Sequence, residues 1–176
     1  MDVTTTYLEL CTVDGIRSAR DSGAEYAIAQ VAEPAPEFAR FLYVTVGADW
    51  SWTDRLGWTR EDWQERLALA GVETWVMWVR GAPAGYAELD SRAGEDGSVV
   101  ELAYFGLLPA YVGRGLGGVL LEAALRRAWA MNEDTARPTA RVWVHTCSLD
   151  GPHALANYRS RGFQAYRTET EDRSDG

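Results

Sequence analysis

The chain of 176 residues has 47% hydrophobic and 24% charged residues, which is the composition of one soluble globular domain. Its net charge of −9 argues against a nucleic-acid-binding module and suits a cationic ligand such as an amine, or serves solubility alone. No apolar run approaches the ~18 residues that a membrane span needs. The N-terminus also lacks the basic start and apolar stretch of a signal peptide. We therefore expect a cytoplasmic protein without membrane contacts.

The first seventy residues predict two strands and two helices. Alternating and β-branched residues indicate strands over 3–12 and 24–32. A turn with two prolines then precedes a helix predicted over 36–47. Thr59, with Asp62 three residues later, resembles a capping box and predicts a helix over 60–70.

The remainder of the chain predicts a hairpin followed by one βαβ unit. Apolar residues at helical spacing follow the glycine-rich stretch, and Gly162 ends a second, shorter helix. The predicted strands are 73–81, 84–92, 98–108, 140–148 and 163–171, and the predicted helices are 113–131 and 150–162. The order is that of a mixed α/β protein whose early strands are mostly antiparallel.

The cysteines give little indication of chemistry. Cys11 and Cys147 are far apart and both fall in apparent strands, so we expect two buried, reduced thiols. The histidines and cysteines lack metal-ligand spacing, so we expect no metal site. A Cys147 nucleophile activated by His145 or His153 is the alternative to an inert thiol.

Four glycines occupy six positions at the predicted start of a helix, in the stretch GRGLGG at 113–118. Without Cβ atoms, the backbone N–H groups of this stretch can converge on an anion, and the helix dipole adds partial positive charge there. Arg114 supplies a formal charge with two parallel donors. Because one glycine would suffice for a tight turn, the pattern indicates a diphosphate site.

Two common phosphate loops fit this stretch poorly. A Walker A loop would end in Gly-Lys-Ser/Thr, whereas this chain has Gly117-Gly118-Val119. Gly113, Gly115 and Gly118 formally match the dinucleotide fingerprint G-x-G-x-x-G. That fingerprint opens a domain with several further βα units, and only about two strands follow here. Nicotinamide or flavin binding remains the weaker alternative.

The stretch VGRGLG at 112–117 resembles the [QR]-x-x-G-x-[GA] motif of the GNAT superfamily of acyl-CoA-dependent N-acyltransferases. The preceding LLP, the helix VLLEAAL and a later A-x-x-x-Y-x-x-x-G-F pattern match in order and spacing, over residues 73–169. Two positions depart from the pattern: Val112 replaces the usual Gln or Arg, and Asp150-Gly151 replaces an Asn before the last helix.

The resemblance implies a single GNAT domain over 1–176, with a variable acceptor-side portion (1–72) and a cofactor-binding core (73–171). Its fold would be a mostly antiparallel, twisted sheet of six or seven strands, flanked by helices on both faces, with a splayed strand pair that holds acetyl-CoA. Gly106, inside a predicted strand, suggests a bulge or a close backbone approach. The implied cofactor contacts are Phe105 and Leu107 for the pantetheine arm, and Val112, Gly113, Arg114, Gly115, Leu116, Gly117 and Gly118 for the diphosphate.

The resemblance also implies N-acetyl transfer by direct attack of an amine. Because an ammonium has no lone pair, a base must remove a proton, and Glu101 stands where some family members carry a glutamate base. Glu88 is a second candidate, and His145 could be a base or a relay. Tyr158 matches the family's tyrosine acid. The N–H of Leu107 could polarise the thioester carbonyl.

The resemblance implies that the first two helices and their loop cover the acceptor site, which is the aromatic region 41–63; core packing is the alternative role of its aromatic residues. Trp50 and Trp52, with nearby acidic residues, would suit a cationic amine, whereas Arg55 points to a carboxylate on the acceptor; an amino acid or peptide would satisfy both. Glu88 and His145 are also assigned to the acceptor-binding side of the site. A homodimer is suggested only by analogy. A CoA-binding sensor without turnover is the alternative from another functional class.

Overall fold

The computed structural model describes residues 1–172. The strands are β1 (Asp2–Leu10), β2 (Ala27–Gln30), β3 (Val72–Val79), β4 (Ala82–Ala93), β5 (Ser98–Leu107), β6 (Thr139–Cys147) and β7 (Gln164–Asp172). The helices are α1 (Pro36–Gly47), α2 (Arg60–Leu67), α3 (Leu116–Ala130) and α4 (Ala154–Ser160). The predicted mixed α/β class is confirmed.

One seven-stranded sheet runs in the order β2-β3-β4-β5-β6-β1-β7. Every neighbouring pair is antiparallel except β5 and β6, which the α3 crossover makes parallel. Successive residues of β3 show how both faces are covered: Val76 packs with residues of α1, and Met77 packs with residues of α3. The predicted sheet with helices on both faces is therefore confirmed.

The prediction of a capping box at α2 is confirmed. The Thr59 side chain accepts a hydrogen bond from the Asp62 N–H, and the Asp62 carboxylate accepts one from the Thr59 N–H. α3 begins at Leu116 rather than at 113, because Gly113 and Gly115 have φ of +79° and +75°, which no α-helix contains. β2 is four residues long, so the strand predicted over 24–32 was too long.

β5 separates from β6 halfway along its length. Parallel pairing covers only Ser98–Glu101, opposite residues 139–143 of β6. The register between β4 and β5 then shifts by one residue at Ala103, which is a β-bulge. The bulge precedes Gly106, where a Cβ would lie 2.5 Å from Cγ1 of Val46. The close approach expected at Gly106 is thus confirmed, and the bulge lies three residues earlier.

The expectation of two buried thiols is wrong. Cys11 follows the last residue of β1 and is exposed, and Cys147 ends β6 half-buried. Both thiols are free. The error arises because both strands end at or before the cysteine, so neither side chain lies in the core between the sheet and its helices.

Candidate functional site

A cavity of about 920 Å³ opens where β5 and β6 separate. Its walls include Leu102–Leu107 of β5 and, on the facing strand, Val144, His145 and Cys147. The bulge turns β5 away from β6, so backbone that would otherwise pair within the sheet borders the cavity. The splayed strand pair expected from the sequence is therefore present, and the cavity has the size of a cofactor or drug-like ligand site.

The glycine-rich turn before α3 borders one end of this cavity. Gly113, Gly117 and Gly118 line it, together with Val112. A Cβ on Gly117 would lie 3.7 Å from Cδ1 of Leu107, so the predicted diphosphate turn adjoins the predicted pantetheine strand. The turn and the separated part of β5 therefore border one continuous cavity.

Three residues predicted in the turn do not line the cavity. Leu116 has a fully buried side chain in the core between α3 and the sheet. The Arg114 guanidinium lies 5.2 Å from the centre of the Tyr111 ring, and Gly115 turns the backbone. Their backbone N–H groups remain the part that could serve an anion.

Asn157 lines the same end of the cavity, and sequence reasoning missed it. Its Nδ2 would lie 3.6 Å from a Cβ on Gly117, and its Oδ1 would lie 3.8 Å from one on Gly118. Asn157 directly precedes Tyr158 on α4, and both residues line the cavity. No motif in the sequence marks it.

Tyr158 lies on α4 against the cavity and is 6% exposed. Its ring packs against Phe105 and Phe163, with ring centres 6.1 and 5.8 Å apart. Burial raises the pKa of its hydroxyl, and the charge of Asp150 raises it further. Within residues 1–172 this hydroxyl has no hydrogen-bond partner. It is therefore a protonated donor that is free to bind a ligand atom.

Glu101 lines the cavity at the point where β5 and β6 stop pairing. Burial raises the pKa of its carboxyl above the usual 4.5, and the nearby His145 acts in the opposite direction. Among the described residues its carboxylate makes no hydrogen bond or ion pair. A partly desolvated and unpaired carboxylate is suited to accept a proton.

His145 and Cys147 both line the cavity from β6, opposite Tyr7 and Thr5 of β1. His145 is exposed, with its ring centre 5.8 Å from that of Tyr7. His153 borders the cavity from the connection to α4. No hydrogen bond between Cys147 and either histidine exists among residues 1–172, so the geometry gives the Cys147 thiol no activating base.

Arg55 lines the cavity and Glu88 does not, and the two side chains pair with each other. The Arg55 guanidinium binds the Glu88 carboxylate through two parallel hydrogen bonds of 2.7 and 2.8 Å. Both side chains are buried, and Glu88 lies outside the cavity wall. Arg55 is thereby satisfied by a protein carboxylate rather than left for one on the acceptor, and Glu88 is too enclosed to act as the base.

Aromatic and acidic residues of the segment between α1 and α2 form one wall of the cavity. Trp50, Trp52 and Asp54 line it. Trp50 reaches the far side of the cavity, because a Cβ on Gly151 would lie only 3.3 Å from Cη2 of its ring. Trp50 and Trp52, which the sequence assigned to the acceptor site, thus both border the cavity.

The N-terminal and C-terminal strands also reach the cavity, which sequence reasoning did not foresee. Thr5 and Tyr7 of β1, and Glu169 and Glu171 of β7, belong to its wall. The Tyr7 hydroxyl donates a 3.0 Å hydrogen bond to Glu169. The pairing of β1 with both β6 and β7 places them there, and no local pattern in the sequence reports such a pairing.

The mostly antiparallel sheet, its one splayed parallel pair and the glycine turn before the crossover helix define the architecture of a GNAT-type acyltransferase. Residues 24–163 match the model of the Acetyltransferase (GNAT) family, and the chain belongs to that family. Among curated proteins, no match is found.

Solved structures share the fold at low sequence identity. A Drosophila protein is 15% identical, with a TM-score of 0.64, over 97% of this chain and 50% of its own. The aminoglycoside acetyltransferase meta-AAC0020, from an uncultured soil metagenomic sample and in complex with sisomicin, is 15% identical over 77% and 86%, with a TM-score of 0.62. Aminoglycoside N-acetyltransferase AAC(6')-Iy in complex with CoA is 20% identical over 82% and 92%, with a TM-score of 0.55. These likenesses show the fold alone.

No helix within residues 1–172 combines the length and the apolar character that a bilayer crossing requires. The same residues contain no group of three or more His, Cys, Asp or Glu side chains arranged to hold a metal ion.

Proposed function

We propose that this chain transfers an acetyl group from acetyl-CoA to a primary amine of a small cationic molecule, by direct attack in a ternary complex. One observation carries the proposal. A single cavity connects the glycine turn of α3, the unpaired Tyr158 hydroxyl and the unpaired Glu101 carboxylate. An anion site, an acid and a base are the three elements that this transfer requires.

The backbone N–H groups of 112–118 would hold the diphosphate, where the α3 dipole adds partial positive charge. Backbone groups of Phe105 and Leu107 would pair with the pantetheine arm along the splayed part of β5. Bound there, acetyl-CoA supplies an activated thioester. The N–H of Leu107 would then donate to the carbonyl oxygen on which negative charge develops.

Glu101 accepts the proton that the acceptor ammonium must lose before its nitrogen can attack the carbonyl carbon. As the C–N bond forms, the C–S bond breaks, and the Tyr158 hydroxyl donates its proton to the departing sulfur. The acetylated nitrogen then loses its second proton to the Tyr158 phenolate, which restores the hydroxyl and leaves a neutral amide. The raised pKa of Glu101 makes its carboxylate more basic than an ordinary glutamate. The raised pKa of Tyr158 keeps its hydroxyl protonated before the C–S bond breaks.

The charge of the cavity wall supports a cationic acceptor. Its acidic members are Asp54, Asp90, Glu101, Asp150, Glu169 and Glu171, and its arginines are Arg55, Arg66 and Arg92. All three arginines are in ion pairs with Glu88 or Asp90. Asp90 and Glu169 are in ion pairs as well, which leaves Asp54, Glu101, Asp150 and Glu171 without an ion pair among the described residues. An amine can therefore approach four acidic side chains of the wall, whereas an acceptor carboxylate meets no unpaired arginine there. The soil aminoglycoside acetyltransferase, solved in complex with sisomicin, supports a small-molecule acceptor.

Calorimetry with CoA and with NAD, followed by a thiol-release assay with acetyl-CoA and a panel of amines, tests the proposal. The panel should include sisomicin, spermidine, lysine and a short peptide, with acetylated products identified by mass. We expect binding of CoA but not NAD, and turnover that depends on a cationic amine. Binding of NAD instead of CoA would overturn the proposal. Binding of CoA without turnover of any amine would favour the sensor.

A further inference from the structure

The segment 48–59, between α1 and α2, supplies the aromatic wall of the cavity without belonging to any helix or strand. Three backbone hydrogen bonds form turns in the segment, from the N–H groups of residues 50, 56 and 58, but they do not join it to the sheet. Its position against the sheet therefore depends on side chains. We call this segment the wall loop. Arg55 lies in it, and its side chain is 9% exposed.

Arg55 contacts β4, β5 and α1 outside the wall loop, and one residue within it, Trp58. Its guanidinium binds Glu88 of β4 through two hydrogen bonds. The same group lies 4.5 Å from the ring centre of Trp58 and 4.4 Å from that of Tyr104. Its backbone N–H donates a 3.1 Å hydrogen bond to the Tyr43 hydroxyl of α1. The wall loop is thus joined at one residue to β4, β5 and α1.

The residues that touch the cavity depend on the same contacts. Tyr104, which lies against the Arg55 guanidinium, donates a 3.2 Å hydrogen bond to Asp54. The Trp52 ring packs edge-on against Tyr104, with ring centres 4.8 Å apart. A shift of Arg55 would therefore move Trp52 and Asp54, both of which line the cavity.

The ion pair extends to α2 through Arg66. That side chain binds Glu88 at 2.9 Å and Asp90 at 2.7 Å. Replacing a buried ion pair by apolar residues is often neutral or stabilising, so stability alone gives little reason for this arrangement. A planar, two-point arginine–carboxylate contact instead fixes distance and orientation, which a lysine cannot reproduce.

We propose that Arg55 is a positioning residue, which holds the wall loop against Glu88 so that Trp52 and Asp54 form the acceptor side of the cavity. The identification of this wall with the acceptor rests on the proposed function. The attachment of the wall loop through Arg55 does not.

The variant Arg55→Lys tests whether Arg55 positions the wall loop, and Arg127→Lys is the matched control. Arg127 makes a similar two-point contact with Glu73, at 2.9 and 2.8 Å, and lies 5.6 Å from the Trp75 ring centre, but it is outside the cavity wall. In Arg55→Lys, we expect amide hydrogen exchange in the wall loop to rise by at least roughly tenfold. The KM of the acceptor should rise roughly tenfold or more, while the Kd of CoA changes less than about twofold. Arg127→Lys should change neither.

Arg55→Met/Glu88→Met serves as the second variant, because it leaves no unpaired buried charge and still allows Arg66 to pair with Asp90. We expect the same faster exchange in the wall loop. Unchanged exchange there in both folded variants would overturn the attachment. Faster exchange with an unchanged KM, measured with sisomicin or with the most active amine of the panel, would overturn the acceptor role. If no amine is turned over by the wild type, the proposed function fails, and the exchange measurement still decides the attachment.

Discussion

Glu101 lies where β5 and β6 stop pairing, and its carboxylate has no partner among the described residues. As the base, it must be ionised, so kcat/KM should fall when the pH drops through its raised pKa. The acidic limb of the pH profile should therefore lie above the 4.5 of an ordinary glutamate. Glu101→Gln should lower kcat about 10²–10⁴-fold and remove that limb, with little effect on the Kd of CoA.

Glu65→Gln is the control for this variant, because Glu65 is an exposed residue of α2 outside the cavity wall. It should retain wild-type kcat and the same pH profile. An unchanged acidic limb in Glu101→Gln would assign the base to another group, with His145 the next residue to replace.

Tyr158→Phe separates the acid role from a packing role. If the hydroxyl donates to the departing sulfur, kcat should fall about 10²-fold. The free energy of unfolding should change by less than about 1 kcal/mol, because no protein hydrogen bond is lost. Tyr86→Phe is the control, since Tyr86 is equally buried but lies outside the cavity wall. Equal kcat values in the two variants, measured by thiol release, would leave Tyr158 as a packing residue.

At the residue scale, the sequence could predict residues that lie at a fixed, short spacing from a motif. The A-x-x-x-Y-x-x-x-G-F pattern led to Tyr158, and the distance to the glycine motif led to Glu101. The pairing of Arg55 with Glu88 could not be predicted, because it joins a loop to a strand across 33 positions. Viewed separately, each residue resembled an acceptor contact.

The start of α3 shows why the bounds of an element are harder to predict than its existence. The apolar periodicity located the helix correctly, but periodicity contains no information on the sign of φ. Gly113 and Gly115 have positive φ, so the helix begins only at Leu116. Gly117 and Gly118, in the first turn of that helix, line the end of the cavity where we propose that a diphosphate binds.

Gly113→Ala tests the function of that turn, with Gly81→Ala as a matched control. Both glycines have positive φ, +79° and +85°, and a Cβ on either would meet no atom within 4 Å. Each substitution should therefore cost a similar ~1–2 kcal/mol of backbone strain. Only Gly113→Ala should also weaken CoA binding in calorimetry, because Gly81 lies in the β3–β4 turn, outside the cavity wall. Equal CoA affinities in the two variants would contradict a diphosphate site at the turn.

For the whole molecule, the sequence predicted seven strands and the neighbours within the hairpin and the βαβ unit, but not the neighbours of β1. β1, at one end of the chain, lies between β6 and β7. The family match over 24–163 includes neither β1 nor β7. Strand propensity is local, whereas pairing of β1 with β6 depends on side chains more than 130 residues apart, such as Leu8 and Val144. The cavity contacts of β1 follow from this pairing and were unpredictable for the same reason.

β1 belongs to the main hydrophobic core, between the sheet and α3, and is not a strand attached outside that core. Leu8 is fully buried among residues of α3, β5 and β6, including Leu121, Val100 and Val142. Leu8→Ala should therefore lower the global free energy of unfolding by about 2–5 kcal/mol, measured by urea denaturation. Leu69→Ala, at a position 51% exposed, should change it by less than about 0.5 kcal/mol. If β1 were a separate addition, Leu8→Ala would speed hydrogen exchange within β1 alone and leave the global transition unchanged. A single shifted transition is expected, because removing packing from a strand bonded on both edges weakens β6 and β7 together.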